Sequence, residues 1–350
     1  MTRRSGHRLA VAGLLWSCLG FPGLAGWAFA SGAARGSGGF GGSGASSDAT
    51  EAASLRTAHG ELEAGEADAA RAALHRILQD DEGDAEAWNL LGRVDFTLRD
   101  WPGAENDCQQ AVKLDPQNAR YHLWLARALG ERAGHASFLT AFSQARRARI
   151  EFETAARLAP RDPEVLTDLA EFYMEAPAVL GGGLDKAEGV AQQLDAVDAR
   201  RGHELRAELA QKEGDTARAA EHLKQAMQGA PHPAFVWLAM ARLAMHNRQW
   251  TAMGEALHHA ADAASHDPGA TIVLYDAASL MARTHQQTAE SIRWMEMYLA
   301  SPTRTEEGPA FEAWMRLARW YDQTGNATRA AQARAQAKAL AEGYAAGRQA

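Results

Sequence analysis

Residues 85–118 read AEAWNLLGRVDFTLRDWPGAENDCQQAVKLDPQN. Apolar residues recur at helical spacing in both halves, with Ala87, Leu90, Leu91 and Val94 in the first. Pro116 ends the second half, because a proline ring cannot continue a helix. The stretch therefore predicts two short helices joined by a turn. One such pair cannot bury its apolar face alone, so neighbouring pairs must stack against it.

Six positions in this stretch carry a resemblance to the tetratricopeptide repeat, a helix–turn–helix unit of about 34 residues. They are Trp88, Leu91, Gly92, Ala104, Ala111 and Pro116. Asp95 and Cys108 stand where that family usually has Tyr and Phe, so the match is imperfect. The pattern favours Trp88 as a core side chain over a platform for a ligand.

The same period continues along the chain, and the resemblance implies an all-α, right-handed α-solenoid of about eight repeats over residues 51–344. The expected units are 51–84, 85–118, 119–162, 163–199, 200–233, 234–269, 270–304 and 311–344. Two units are longer than the usual 34 residues. About ten extra residues near 131–142 are expected to lengthen the helices or the turn between them. A glycine-rich insertion at 175–183 is expected to be a structural loop that ends at an N-cap at Asp185.

The first 30 residues are typical of a signal peptide. Three arginines precede an apolar core, and Ala28-Phe29-Ala30 form an A-x-A cleavage site. A retained membrane anchor and a lipoprotein lipidated at Cys18 are the alternatives. Residues 31–50 are expected to be a flexible Gly/Ser-rich linker, and residues 345–350 a tail. The mature chain is therefore expected to be periplasmic or secreted.

Charge and cysteine content limit the class of partner. Removal of three arginines with residues 1–30 takes the net charge from −8 to −11. An acidic chain argues against nucleic acid or an anionic membrane as the main partner. Membrane association is expected only if the N-terminus is retained or Cys18 is lipidated. Cys108 would then be the one remaining cysteine, and its place in a helix predicts a buried, unreactive thiol.

No catalytic or metal-binding spacing is evident in the sequence. His203-Glu204 begins like H-E-x-x-H, but Ala207 stands where the second histidine is needed. No nucleophile elbow or phosphate-binding loop motif is present either. We therefore expect a protein that is not an enzyme, with no cofactor and no metal.

In solenoids of this kind, partners usually dock in the concave groove lined by the first helix of each repeat. The outward positions of those helices, which are the candidate partner-binding residues, are Asn89, Arg93, Phe96, Arg127, Glu171, Phe235, Arg242 and His246. Some members of the family clamp a peptide's terminal carboxylate with Lys, Asn and Arg, which Asn89, Arg93 and Arg127 resemble in part. The groove would have two basic ends and an acidic middle, and would select a partner of the opposite pattern.

The sequence therefore predicts a non-catalytic protein–protein interaction scaffold in the cell envelope, binding a protein or peptide segment. The alternative is a small-molecule-binding accessory subunit of a periplasmic solute uptake system. Convergence of Phe96, Phe235 and Met245 on a closed apolar pocket would favour that alternative. A third reading is a structural module for oligomeric assembly.

Overall fold

The computed structural model describes residues 45–283 and 288–347. The predicted signal peptide, Cys18, most of the predicted linker and residues 348–350 lie outside this range. The described residues form seventeen α-helices and two short 3₁₀ segments. The helices are α1 (Ala45–Ala64), α2 (Ala67–Asp80), α3 (Ala85–Thr97), α4 (Trp101–Leu114), α5 (Ala119–Gly134), α6 (Phe138–Leu158), α7 (Pro163–Glu175), α8 (Leu184–Asp195), α9 (Ala199–Lys212), α10 (Thr216–Met227), α11 (Pro233–His246), α12 (Trp250–Ser265), α13 (Ile272–Ala282), α14 (Thr288–Ala300), α15 (Ala310–Gln323), α16 (Ala327–Leu340) and α17 (Glu342–Gly347).

Helices α1–α16 pack as consecutive pairs, and each pair stacks against the next. The all-α solenoid predicted from the repeat period is therefore confirmed. Its core is a run of apolar clusters between successive pairs, and the largest of them lies around α11–α16. None of the helices in the described residues is both long and apolar enough to span a bilayer.

Local sequence signals set where the helices begin and turn. The side chains of Asp84, Asp100 and Asp215 each accept a hydrogen bond from a backbone N–H in the first turn of the following helix. Between paired helices the chain adopts a left-handed conformation, with φ of 81° at Gly214. Arg99 takes the same turn position in the second pair with φ of 61°, at some cost in strain.

Small residues let the two helices of a pair approach closely, as the sequence predicts. A β-carbon built on Gly92 would lie 2.5 Å from Cys108 Sγ and 3.0 Å from the Cys108 backbone nitrogen. Ala104 and Ala111 on the facing helix are fully buried. The glycine at this position is therefore required by contact with α4 rather than by backbone conformation.

Both inserted segments are ordered. The extra residues of the third unit lengthen α5 and α6, and α6 has 21 residues. The glycine-rich insertion forms a 3₁₀ turn at Ala178–Leu180. The predicted N-cap at Asp185 is wrong: α8 begins at Leu184 after Gly183, and Asp185 lies in its first turn.

The outer bounds of the solenoid also differ from expectation. Helix α1 begins at Ala45, inside the segment expected to be a flexible linker. Helix α17 continues to Gly347, inside the expected tail. Both additions extend the helical stack rather than forming a separate unit.

The last repeat packs against the first. Phe311 of α15 is 1% exposed and lies in the same apolar cluster as Leu62 and Leu74 of the first pair. Arg99 donates to Glu312 at 2.9 Å, and the backbone N–H of Glu342 donates to the Asp68 carboxylate at 2.7 Å. The solenoid therefore closes into a ring, and the concave wall surrounds an interior instead of lining an open groove.

Candidate functional site

The interior of the ring is lined by charged side chains from successive first helices. We call six of them the charged ladder. In chain order they are Arg93 on α3, Arg127 on α5, Glu171 on α7, Glu208 on α9, Arg242 on α11 and Asp276 on α13. The repeat period places them at equivalent positions of successive first helices, so each side chain is one repeat away from the next.

Arg93 is tied to a segment far away in the chain. Its Nε and Nη2 donate to the two carboxylate oxygens of Glu306, at 3.1 and 2.8 Å, and Nη2 lies 3.1 Å from His59 Nε2. Burial lowers the pKa of Arg93, but Glu306, with smaller contributions from Glu86 and Glu164, makes the net shift of the pKa upward. The side chain is therefore a buried cation, held by a carboxylate 213 residues away.

Glu306 belongs to the connection between α14 and α15, residues 301–309, which folds into the interior. The fully buried hydroxyl of Tyr298 holds this connection by donating to the Gly308 carbonyl at 2.7 Å. Glu307 follows, and burial raises the pKa of its carboxyl well above the ordinary value, against the attraction of Arg127. Nothing in the local sequence around residue 306 marks a site, so sequence reasoning missed this segment.

Arg127 is held by the chain's own acids as well. Its Nε donates to Asp168 at 2.6 Å and its Nη2 to Glu164 at 2.8 Å. The guanidinium of Arg127 also lies 4.6 Å from the ring centre of Trp124, and that of Arg93 lies 5.2 Å from the same ring. The two arginines thus share one aromatic surface, which favours both cations.

The middle of the ladder is acidic and lacks compensating ion pairs. Among the described residues, neither Glu171 nor Glu208 makes a salt bridge. Burial raises the pKa of Glu208 to about 7, with Arg242 opposing and Glu204 adding to the rise. Burial, Glu208 and Asp168 raise the pKa of Glu171 well above its ordinary value. Both side chains are half-buried and retain contact with solvent.

The last two residues of the charged ladder, on α11 and α13, form an ion pair. Arg242 donates to Asp276 at 3.2 Å. Burial raises the pKa of Asp276 to about 6, and Arg242 and Arg316 pull it downward. The wall therefore runs from two arginines, past two carboxyls of raised pKa, to an arginine–aspartate pair.

Apart from His203 and His222, the histidine and cysteine side chains of the described segments lie in separate places. No group of three or more His, Cys, Asp or Glu in residues 45–283 and 288–347 could hold a metal ion. His203 lies beside His222 of the neighbouring helix, with the two Nδ1 atoms 3.4 Å apart. Cys108 is buried as predicted, and burial raises the pKa of its thiol.

Comparison with known proteins identifies the repeat. The tetratricopeptide repeat family matches residues 55–119 and 91–134, which contain the stretch that predicted the fold. Yeast Tom70 has a similar solved structure, with 15% identity and a TM-score of 0.50, over 79% of this chain and 55% of that chain. Residues 55–134 therefore match tetratricopeptide repeats, and the described chain is an all-α solenoid of similar helix pairs.

A second solved structure, that of a tetratricopeptide repeat (TPR) protein, is similar to part of this chain. It is a thermophilic TPR protein from Thermus thermophilus, 23% identical over 56% of this chain and 98% of that chain, with a TM-score of 0.47. A comparison with curated protein sequences gives no significant match. The family match therefore concerns the repeats at residues 55–134, and the likeness to Tom70 concerns the fold alone.

The predicted TPR groove residues fall into three groups in the structure. Arg93, Arg127, Glu171 and Arg242 lie together on the interior wall. Asn89 is fully buried one turn before Arg93, and neither atom of its amide has a hydrogen-bond partner among the described residues. Because Glu306 and Asp168 already hold the two arginines, the partial carboxylate clamp is filled by this chain's own acids.

The other three predicted residues lie elsewhere. Phe235 is 7% exposed and packs in the core around α11–α13, so its assignment to the groove surface is wrong. Because α11 is apolar nearly all round, its sequence does not indicate which face meets the interior. Phe96 packs edge-on against Trp101 and Trp124, with ring centres 5.2 and 5.5 Å away. His246 is exposed at the last residue of α11.

Proposed function

We propose that this TPR solenoid is a non-catalytic interaction scaffold of the cell envelope, and that the charged ladder docks a segment of a protein partner. The observation that carries the proposal is the pair Glu171 and Glu208. Both carboxyls are half-buried, lie between Arg127 and Arg242, and make no ion pair with another described residue. A lysine or arginine of a partner placed between them would relieve their mutual repulsion. Fold and repeat type agree with this role, since stacked repeats offer a preformed surface.

The charge pattern defines the partner segment. Its centre would carry one or two cationic side chains that face Glu171 and Glu208. Acidic side chains on either side would face Arg127 and Arg242, once those arginines exchange some of their internal contacts. Complementarity of this kind fixes register and rejects partners with the wrong pattern.

The proposed location rests on the N-terminal sequence, with its three arginines, apolar run and A-x-A site. The solute-binding alternative is not supported, because the apolar residues it needs do not converge. Phe235 lies in the core around α11–α13, whereas Phe96 lies against the aromatic residues of α4 and α5.

The test is affinity capture of partners from an envelope fraction, using the full chain and a Glu171→Lys/Glu208→Lys variant. We expect a protein retained by the wild type and lost from the variant, since the substitutions reverse the charge that receives the partner. A matched control is Glu255→Lys/Asp262→Lys, which places the same charges on exposed positions of α12. Capture that is equal for all three proteins would refute docking at the ladder.

A further inference from the structure

One connection of the chain lies in the interior of the ring. Residues 301–309 join α14 to α15, and we call them the interior strap. Arg304 of the strap donates from Nε to the carbonyl of Ala64, the last residue of α1, at 3.4 Å. Its Nη1 donates to the carbonyls of Leu299 and Ser301 at 3.2 and 3.0 Å. The strap therefore contacts the first helix of the ring as well as the helix that it leaves.

Both ends of the interior strap are held by backbone contacts. Near its start, the Thr303 carbonyl accepts a hydrogen bond from Thr271 Oγ1 at 2.5 Å. Near its end, the Tyr298 hydroxyl donates to the Gly308 carbonyl at 2.7 Å. A β-carbon on Gly308 would lie 2.7 Å from Ile272 Cδ1, so this glycine is required by close packing. Packing and neutral hydrogen bonds, rather than charge, therefore place the two ends.

The middle of the interior strap is held by charge. Glu306 makes the ion pair with Arg93 described above, through both carboxylate oxygens. Glu307, the next residue, makes no hydrogen bond or ion pair with another described residue, although one of its carboxylate oxygens is buried. A buried carboxyl without a partner is unfavourable. One of the two adjacent carboxyls therefore stabilises the strap in the interior, and the other destabilises it.

The contact with Arg93 has the chemistry of a bound ligand. It joins residues 213 positions apart, and it leaves Arg93 Nη1 buried without a hydrogen-bond partner among the described residues. Arg93 also shares the ring of Trp124 with Arg127, so Glu306 covers the basic end of the charged ladder. The acidic part of the partner segment needs that same end.

We propose that the interior strap is an internal ligand, which occupies the basic end of the charged ladder until an acidic segment of a partner takes the place of Glu306 at Arg93. The inference rests on the proposed function, since the charged ladder is the surface that the strap covers. The exchange replaces one carboxylate–arginine pair by another, so little binding energy is lost. Displacement also returns the Glu307 carboxyl to water, where its charge is solvated.

Attachment to the chain makes the interior strap a strong competitor. A tethered segment meets its site at an effective concentration in the millimolar range, whereas a free segment depends on its own concentration. A short acidic peptide therefore binds the wild type weakly. A partner that also contacts Glu171 and Glu208 has the further contacts that displacement requires. The strap thereby favours partners that match the whole ladder over segments that are merely acidic.

The test measures binding of the strap sequence as a separate peptide. The probe is a fluorescein-labelled peptide of residues 301–309, and its binding to the full chain is read by fluorescence anisotropy. Glu306→Gln should bind the probe about tenfold more tightly than the wild type does, because Arg93 loses its tethered competitor. Glu307→Gln is the matched control, since the same change one residue later leaves the Arg93–Glu306 contact in place. It should bind the probe as weakly as the wild type.

Two further variants separate the site from the stability of the fold. Tyr298→Phe removes the hydroxyl that holds Gly308 but removes no charge, so it should loosen the strap and bind the probe more tightly than the wild type does. Arg93→Met/Glu306→Leu should not bind the probe, because the arginine is absent. A second probe with Gln in place of Glu306 should bind none of these chains.

Equal binding of the first probe to the wild type, Glu306→Gln and Tyr298→Phe would overturn the proposal. Equal binding of the two probes to Glu306→Gln would overturn it as well, since the carboxylate would then have no role. No partner enters this measurement, so its failure would leave capture through Glu171 and Glu208 unaffected. Failed capture from the envelope fraction would, in turn, leave a displaceable strap supported by probe binding.

Discussion

Glu306→Gln should weaken the closure of the ring. The side chains of Arg93 and Glu306 are 3% and 13% exposed, and two hydrogen bonds of 3.1 and 2.8 Å join them. Removal of one partner from a buried ion pair leaves the other charge without compensation, at a cost of about 3–5 kcal/mol. Because His59 and more distant carboxylates remain near Arg93, we expect the free energy of unfolding to fall by about 2–4 kcal/mol.

The loss should be concentrated where the two ends of the chain meet. Urea unfolding followed by circular dichroism would give the change in stability, and hydrogen exchange of residues 301–312 would show the local opening. Arg93→Met/Glu306→Leu should recover most of the loss, because an apolar pair removes both charges. The exposed pair Lys224–Glu221, with oxygen and nitrogen 4.0 Å apart, is the control, and Glu221→Gln should change stability by less than about 1 kcal/mol. If Glu306→Gln shows the same exchange rates in residues 301–312 and the same urea midpoint as the wild type, ring closure through this pair is refuted.

Three further outcomes are expected. Gly92→Val should destabilise the chain by about 1–3 kcal/mol in thermal denaturation, because the β-carbon of the valine would overlap Cys108 Sγ. A melting temperature equal to that of the wild type would contradict the close approach of α3 and α4. Glu208 binds its proton more tightly in the folded state, with a pKa raised from 4.5 to about 7, so the stability of the folded chain falls as pH rises through that window. Glu208→Gln should make the melting temperature less dependent on pH and should raise it at pH 8. Parallel pH profiles of the melting temperature for variant and wild type would contradict this pKa shift. Cys108 should react with a thiol reagent only after denaturation, since it is 1% exposed and burial raises its pKa; rapid labelling of Cys108 in the folded chain, located by peptide mapping, would contradict its burial.

Part of the candidate site follows from the sequence. The resemblance to the tetratricopeptide repeat predicts Arg93, Arg127, Glu171 and Arg242 on the concave face, because equivalent positions in stacked helices share a face. Phe235 was assigned to the same face and lies in the core instead. In a helix that is apolar nearly all round, periodicity does not distinguish the side that meets the next repeat from the side that meets the interior.

The sequence by itself determined the helix pairs and their stacking, because those depend on signals within a few tens of residues. Apolar spacing, capping aspartates and small residues such as Gly92 are all local. Only the tertiary structure decided that the ring closes and that Glu306 fills the place beside Arg93. That contact joins residues 213 positions apart, and a charge in the sequence does not specify which opposite charge it will meet. Which residues meet there depends on the curvature of the whole solenoid. Each repeat adds only a small rotation to that curvature, so no single repeat specifies the contact.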